Sequence, residues 1–450
     1  MTLLGALVVV LVLLSSPATA NTPPSIAPNA SPGTLDLSSW PLHTKALALE
    51  TVWDVWWNVL DTQPAGPAHA QVAIPSKWEG DAPQPTSARP GTGHATYQLK
   101  VTGLPHDLTE LGMYVRTLGL SYRLTARDST GHERLILSSG HPGASPETTV
   151  PWEVPQIGSF KKLMGPTLLF TIEISNYHYA HGGPWRAPVL GPERALRQTL
   201  LQEQFTDFAL VGLLAIVALY HFALFLVRRK DKASLWFALF LSCLLVRHAC
   251  TGRLFELFLF DASAEVYEFR NRIEFLSMYL LLPLVWQFLH TVFPEAFGKR
   301  SRNIIAGIFA VFASTCLLHV SSYSQLLPAF HAIVLPAGIT AMVFLGRAIL
   351  AGHPQSKLTF GAFSAVLGTS VHDILVVFFN LDHPWLLAYG IAAFVLLQSY
   401  VIAQLFAEAY QRATNLTSAL SQEITSRRAV EGELHDVQTR LDGAKQELKD

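Results

Sequence analysis

Two hydrophobic periods divide the chain. From about Ser38 to Gln198, apolar and polar residues alternate in short runs separated by Gly and Pro: TYQLKV (Thr96 to Val101), GMYVRTL (Gly112 to Leu118), YRLTAR (Tyr122 to Arg127), ERLILSS (Glu133 to Ser139) and LLFTIEIS (Leu168 to Ser175). A period of two sends alternate side chains to opposite faces of a sheet, so residues 38–198 are expected to form an antiparallel β-sandwich, jelly-roll-like in its many short strands. Beyond it the period disappears into apolar stretches at about 205–227, 233–251, 272–293, 303–320, 326–347, 358–379 and 385–406. Each is long enough to cross ~30 Å of hydrocarbon as a helix, which predicts a seven-helix transmembrane domain over 199–406. Past Phe406 the chain turns polar, but Val430, Leu434, Val437, Leu441, Ala444 and Leu448 recur at alternating spacings of four and three. That seam predicts a C-terminal coiled coil over 407–450, weakened by Gly432 and Gly443.

The N-terminal end sets the orientation. MTLLGALVVVLVLLSSPATA is an apolar run closed by small residues at Ala18 and Ala20, the pattern of a signal peptide over 1–20. Residues 21–37 are rich in Pro, Asn and Ser and read as a flexible leader. If the leader exports the sandwich, the inner loops are Arg228 to Lys232, Pro294 to Arg302 and Arg347 to Lys357, all basic, whereas the outer loops SSYSQ and NLDHP contain no Lys or Arg. Leader and loop charge give one orientation, with the sandwich outside and the C-terminus in the cytoplasm. The second outer loop departs from the rule: it carries Arg253, Arg270 and Arg272, with Glu256, Glu265 and Glu268 interspersed.

Composition supports the membrane reading, since half of the residues are hydrophobic and 14% are charged, against about 25% in ordinary soluble domains. The net charge of −1 gives no sign of a nucleic-acid partner. Cys243, Cys250 and Cys316 all lie in apolar runs, so no disulfide framework is expected.

Candidate chemistry falls in two places. Arg247 with His248, Glu274, and the adjacent His372 and Asp373 lie on three different helices at similar depth; Asp373 is about 22 Å up its helix at 1.5 Å per residue. An ionised carboxylate at the bilayer centre costs roughly 2.5–3.5 kcal/mol, so Asp373 needs a partner. The expected partner is Arg247, with Glu274 competing for it, and the cluster of Arg247, Glu274, His372 and Asp373 is expected to couple the helices. In the sandwich, ISNYHYAHGGPW presents Asn176, Tyr177, His178, Tyr179, His181 and Trp185 on one loop. Rings that stack on sugar faces and amides that bond hydroxyls would suit a ligand site. VWDVWW, with Trp53, Trp56 and Trp57, reads instead as core. No catalytic residue, metal set or cofactor motif is recognised.

Several segments resemble one family. SLWFALFLSCLLVRHACTGRLFELF, RNRIEFLSMYLLLPLVWQFLHTVFP, HDIL and LLQSYVIAQLFAEAYQRATNLTSALSQEI resemble, in order and spacing, the bacterial seven-transmembrane receptors with diverse intracellular signalling modules. GHATYQLKV and ISNYHYAHGGPWRAPVLG are similar to that family's extracytoplasmic jelly-roll domain, itself similar to sugar-binding domains of glycoside hydrolases. The likeness covers roughly residues 40–425. It implies a signal-transduction receptor of the bacterial inner membrane, sensing a small molecule or glycan and acting as a homodimer through its coiled coil. Residues 407–450 carry no kinase or cyclase signature, so the output is expected from a separate cytoplasmic signalling partner or from sequence beyond Asp450. An intramembrane metal-dependent hydrolase and a transporter are the competing classes. Against them stand the absence of any H-x-x-x-H pair in the spans and of an inverted repeat.

Overall fold

The computed structural model of the chain describes residues 30–78, 91–161, 163–230, 232–258, 261–378 and 386–447. The expected signal peptide and the leader up to residue 29 lie outside the described residues. Two compact units are formed, Met1–Phe394 and Val395–Asp450.

The first unit begins with two facing sheets. The larger contains β1 (Ala30–Ser31), β2 (Thr34–Asp36), β6 (Gly93–Thr102), β11 (Leu168–Asn176), β8 (Ser121–Asp128) and β9 (Glu133–Ser139) in that spatial order. β4 (Val52–Trp57) also pairs with β6 and carries β5 (Ala70–Ala73). The smaller sheet runs β10 (Gln156–Ser159), β7 (Leu111–Val115), β12 (Val189–Pro192) and β3 (Leu47–Ala48). Pairing is antiparallel except between β2 and β6. Alternation does what the sequence implied: along β11, Phe170, Ile172 and Ile174 enter the core with Trp53, Tyr97 and Leu99. Burying each such side chain is worth about 1.5–3 kcal/mol relative to exposure.

Residues 30–37 correct the expected leader. Gly33 (φ +71°) turns β1 into β2, β2 pairs with β6, and Leu35 and Leu37 are buried in the core. Two leucines spaced for one sheet face outweigh a flanking composition rich in Pro and Asn. The tryptophans are as expected: Trp53, Trp56 and Trp57 are all buried in β4.

The helices that follow are α1 (Glu193–Val227), α2 (Lys232–Thr251), the short α3 (Leu254–Phe258), α4 (Ala264–Val292), α5 (Lys299–Thr315), the short α6 (Val320–Tyr323), α7 (Leu327–Leu350), α8 (Ser356–Phe378) and α9 (Leu387–Glu447). Five stretches among the described residues are long and apolar enough to cross a membrane: α1, α2, α4, Val320–Leu350 and Leu387–Leu441. This is a membrane protein. α5, with 17 residues, rises about 25 Å, a little less than the hydrocarbon thickness. α1 leaves Phe205, Ile216, Leu219 and Phe222 exposed along its length, a face suited to lipid rather than water. Inside, Phe237 of α2 packs on Phe288 of α4 at 5.2 Å and on His221 of α1 at 4.9 Å.

No linker separates sheet from membrane helix, because β12 ends at Pro192 and α1 starts at Glu193. Pro suits the position before a helix, having no N–H to leave unpaired, and Glu193 N–H donates to Glu110 O at 2.8 Å. In the second unit, Leu416, Leu420, Val430, Leu434, Val437 and Leu441 of the expected seam are exposed on the single chain.

Candidate functional site

The charged residues near the sandwich form one network whose organising groups differ from those expected. Glu153, in the loop before β10, is buried, with its side chain 4% exposed. Thr117 Oγ1 donates to its Oε1 at 3.0 Å, and the Arg253 guanidinium donates to its Oε2. Arg253 follows α2 and also reaches Glu274 of α4 at 3.5 Å. Glu274 accepts from Arg247 Nη1 at 2.8 Å and from Arg270 Nη1 at 2.5 Å, and Arg270 Nε donates to Glu256 Oε1 at 2.8 Å. Three carboxylates (Glu153, Glu256, Glu274) thus interlock with three guanidiniums (Arg247, Arg253, Arg270). Each charge removed from water is returned an opposite charge at hydrogen-bond distance, the condition under which buried ions are tolerated.

The backbone marks Arg253 as a special position. It stands at φ +59° just after α2, a left-handed conformation normally given to Gly, although Gly252 is its neighbour. The carboxylates hold it charged: burial alone would lower its pKa, but Glu153, Glu274 and Glu256 together raise it. Burial pushes the Glu153 carboxyl up, against the pull of Arg253 and Thr117. Burial also pushes Glu256 up to about 7, opposed by Arg253.

Beside the network lies a cleft of about 230 Å³, bounded by the sandwich, the first turns of α1 and the end of α2. Its wall includes Arg116, Glu153, Trp185, Glu203, Asp207 and Arg253. Tyr114 OH donates to Glu203 at 2.9 Å and Arg116 lies 3.5 Å from the same carboxylate, so the start of α1 is fastened to β7 and the residue that follows it. His248 Nε2 stands 3.2 Å from Asp207 Oδ1. Gly252 lets Asp207 come close, since a Cβ would sit 3.0 Å from its Oδ2. Among the described residues no group of three or more His, Cys, Asp or Glu is placed to hold a metal ion.

Asp373 does not pair with Arg247. Its oxygens accept from the N–H groups of Leu386 and Leu387, each at 2.9 Å, and from His372 Nδ1 at 2.9 Å. The carboxylate caps the start of α9, where unpaired N–H groups and the positive end of the helix dipole provide what a cation would have provided. Arg247 is instead occupied by Glu274, so the expected cluster separates into two sites.

The sandwich loop is also rearranged relative to expectation. Asn176 is fully buried; its Nδ2 donates to Gly91 O and Tyr179 O, and its Oδ1 accepts from Tyr179 N–H. Tyr177 OH donates to Ala144 O at 2.8 Å, and His178 Nε2 lies 3.2 Å from Pro146 O. Ala180 N–H donates to Ser324 Oγ at 3.1 Å, so the loop docks on the membrane domain. Tyr179 packs on Trp185 and His181, with ring centroids 5.7 and 6.2 Å apart. Of the six loop residues, Trp185 is the one in the cleft wall.

Glu153, Arg253, Glu256 and Arg270 are not among the site residues expected from sequence. Two signals pointed to them: a lone glutamate in the apolar VPWEVP, and an outer loop whose arginines break the basic-inside pattern while glutamates accompany them.

A β-domain mounted on apolar helices through a buried ionic junction defines the class, a multi-domain membrane protein. Residues 203–404, somewhat under half of the chain, match the family model described as 7TM diverse intracellular signalling, a signalling rather than an enzyme class. No curated protein matches the chain. Solved structures similar to it include Faecalibacterium prausnitzii β-glucuronidase (15% identity, TM-score 0.25, 32% of this chain and 31% of that one). Others are Ruminococcus gnavus β-glucuronidase (12%, 0.23, 33% and 28%) and a putative β-galactosidase from Bacteroides fragilis (15%, 0.24, 32% and 23%). The chain spans less than a third of the length of these structures, and likeness at this level carries no weight for function.

Proposed function

We propose that the protein is a transmembrane receptor of the bacterial inner membrane in which an exported, jelly-roll-like sandwich senses a small molecule or glycan and seven helices relay its state. The buried Glu153–Arg253 pair carries this reading, because it ties the sandwich directly to the ends of the membrane helices. A ligand shifts an equilibrium only through different contacts in the two states, and a network of interlocked ion pairs has discrete alternative pairings. Arg253 is shared between Glu153 of the sandwich and Glu274 of α4, so a movement of the sandwich changes the charge left to α4. The basic inner loops support a cytoplasmic C-terminus. There the exposed seam of α9 forms a parallel coiled coil with a second copy and drives a signalling partner.

Hydrogen exchange of the full chain in lipid nanodiscs tests the relay. Glu153→Gln is expected to change exchange in α7, α8 and the membrane part of α9, which Glu153 does not touch. A change limited to the sandwich and the residues next to Arg253 would sink the reading.

A further inference from the structure

The receptor reading, on which this inference rests, leaves open where the ligand sits. The loop expected to hold it is occupied: Asn176, Tyr177 and His178 bond main-chain groups of the protein itself, and Ala180 docks on Ser324. The junction cleft offers what the loop does not. Its volume of about 230 Å³ is below the roughly 300–1,000 Å³ of pockets for drug-sized ligands, so its occupant is small. Both signs of charge line it, with Glu153, Glu203 and Asp207 on one hand and Arg116 and Arg253 on the other. Trp185 is in the wall too, and its Nε1 is buried with no hydrogen-bond partner among the described residues. A buried N–H left unpaired costs about 1–3 kcal/mol, which an acceptor on a ligand would recover once the indole turns toward it.

We propose that this cleft is the ligand site and that it takes a small zwitterion, carrying an ammonium and a carboxylate on one short skeleton of amino-acid size. The carboxylate suits Arg116, whose side chain is 42% exposed and held at 3.5 Å by Glu203, a contact long enough to be exchanged. The ammonium suits Glu203 and Asp207, one turn apart on α1. A neutral polyol would dehydrate these charges and return none, whereas a zwitterion replaces each lost contact by one of the same sign. Such an occupant touches the sandwich, α1 and the end of α2 at once, next to the Glu153–Arg253 pair. Binding there would therefore be felt by the junction without any further relay.

The test uses the full chain in nanodiscs, with melting temperature measured against millimolar free amino acids, their N-acetyl methyl esters and D-glucose. At least one free amino acid is expected to raise the melting temperature, while its ester and glucose do not. Trp185→Phe and Arg116→Gln are each expected to weaken the apparent affinity roughly tenfold, about 1.4 kcal/mol. Phe keeps an aromatic group beside Tyr179 and Arg116 is half-exposed, so both variants should still fold, and each is compared with its own ligand-free melting temperature. The proposal is overturned if no free amino acid acts, if esters or glucose act equally, or if the shift survives both substitutions. Should exchange in α7 and α8 still answer to Glu153→Gln, such a failure removes this site and leaves the relay standing.

Discussion

Glu274 and Asp373 look alike in the sequence, each an acid in an apolar helix at similar depth, yet the folded chain satisfies them by opposite means. Glu274 draws guanidiniums from Arg247, Arg253 and Arg270, and through them joins α4 to α2 and to the sandwich. Asp373 takes two main-chain N–H groups at the start of α9 and the neighbouring His372. One solution is electrostatic and spans elements distant in sequence; the other is a local cap between consecutive helices. The lesson is that an intramembrane carboxylate need not find a cation, because the open end of a helix is an alternative partner.

The two sites should respond differently to truncation. Glu153→Ala leaves Arg253 buried with half its partners, and breaking a buried pair typically costs about 3–5 kcal/mol. Denaturation of the full chain in nanodiscs is expected to show that loss, and a change below ~1 kcal/mol would mean the junction is wet and screened. Asn176→Ala, outside both sites, should cost about 1–3 kcal/mol because it leaves Gly91 O and Tyr179 groups unpaired. Asp373→Ala removes a cap and is expected to cost about 1–2 kcal/mol, with Asp373→Asn recovering part of it. If Asn were as harmful as Ala, charge rather than the acceptor oxygens would be what α9 requires.

Much of the architecture was legible because strand period and apolar run length are local properties. The strands from Thr96, Tyr122, Glu133 and Leu168 lie within β6, β8, β9 and β11. Short pieces such as β3 and β10 were not legible, since two to four residues carry no readable period. Nor was the start of the sandwich, where Leu35 and Leu37 are hidden in Pro-rich surroundings. The site was legible as a set of charges and illegible as a set of partners. Arg247, expected to pair with Asp373 while Glu274 competes, is paired with Glu274, and Glu153 lies 100 residues from Arg253. The pairing is decided by how the sandwich sits on α2, which no local pattern encodes. The aromatic loop misled for a related reason: its side chains do resemble ligand-binding equipment, but the carbonyls of Gly91, Ala144 and Pro146 reach several of them first.

The smallest expected effect is on the pH dependence of the junction. Burial raises Glu256 to about 7, with Arg253 opposing, and Glu153 is raised for the same first reason. The groups facing Glu256 are Arg253 and Arg270, which favour its charge, and Glu274 and Glu153, which oppose it. A carboxyl whose folded pKa exceeds its unfolded value of 4.5 contributes stability that is present in full below 4.5 and lost as pH rises through about 7. The junction should therefore tighten on acidification, opposite to the usual behaviour of paired carboxylates. Between pH 8 and pH 5 the melting temperature of the full chain is expected to rise by roughly 2 °C, and Glu256→Gln should flatten the rise. A melting temperature that instead falls on acidification, with the fall abolished in Glu256→Gln, would show that the charged form of Glu256 is the one the junction prefers.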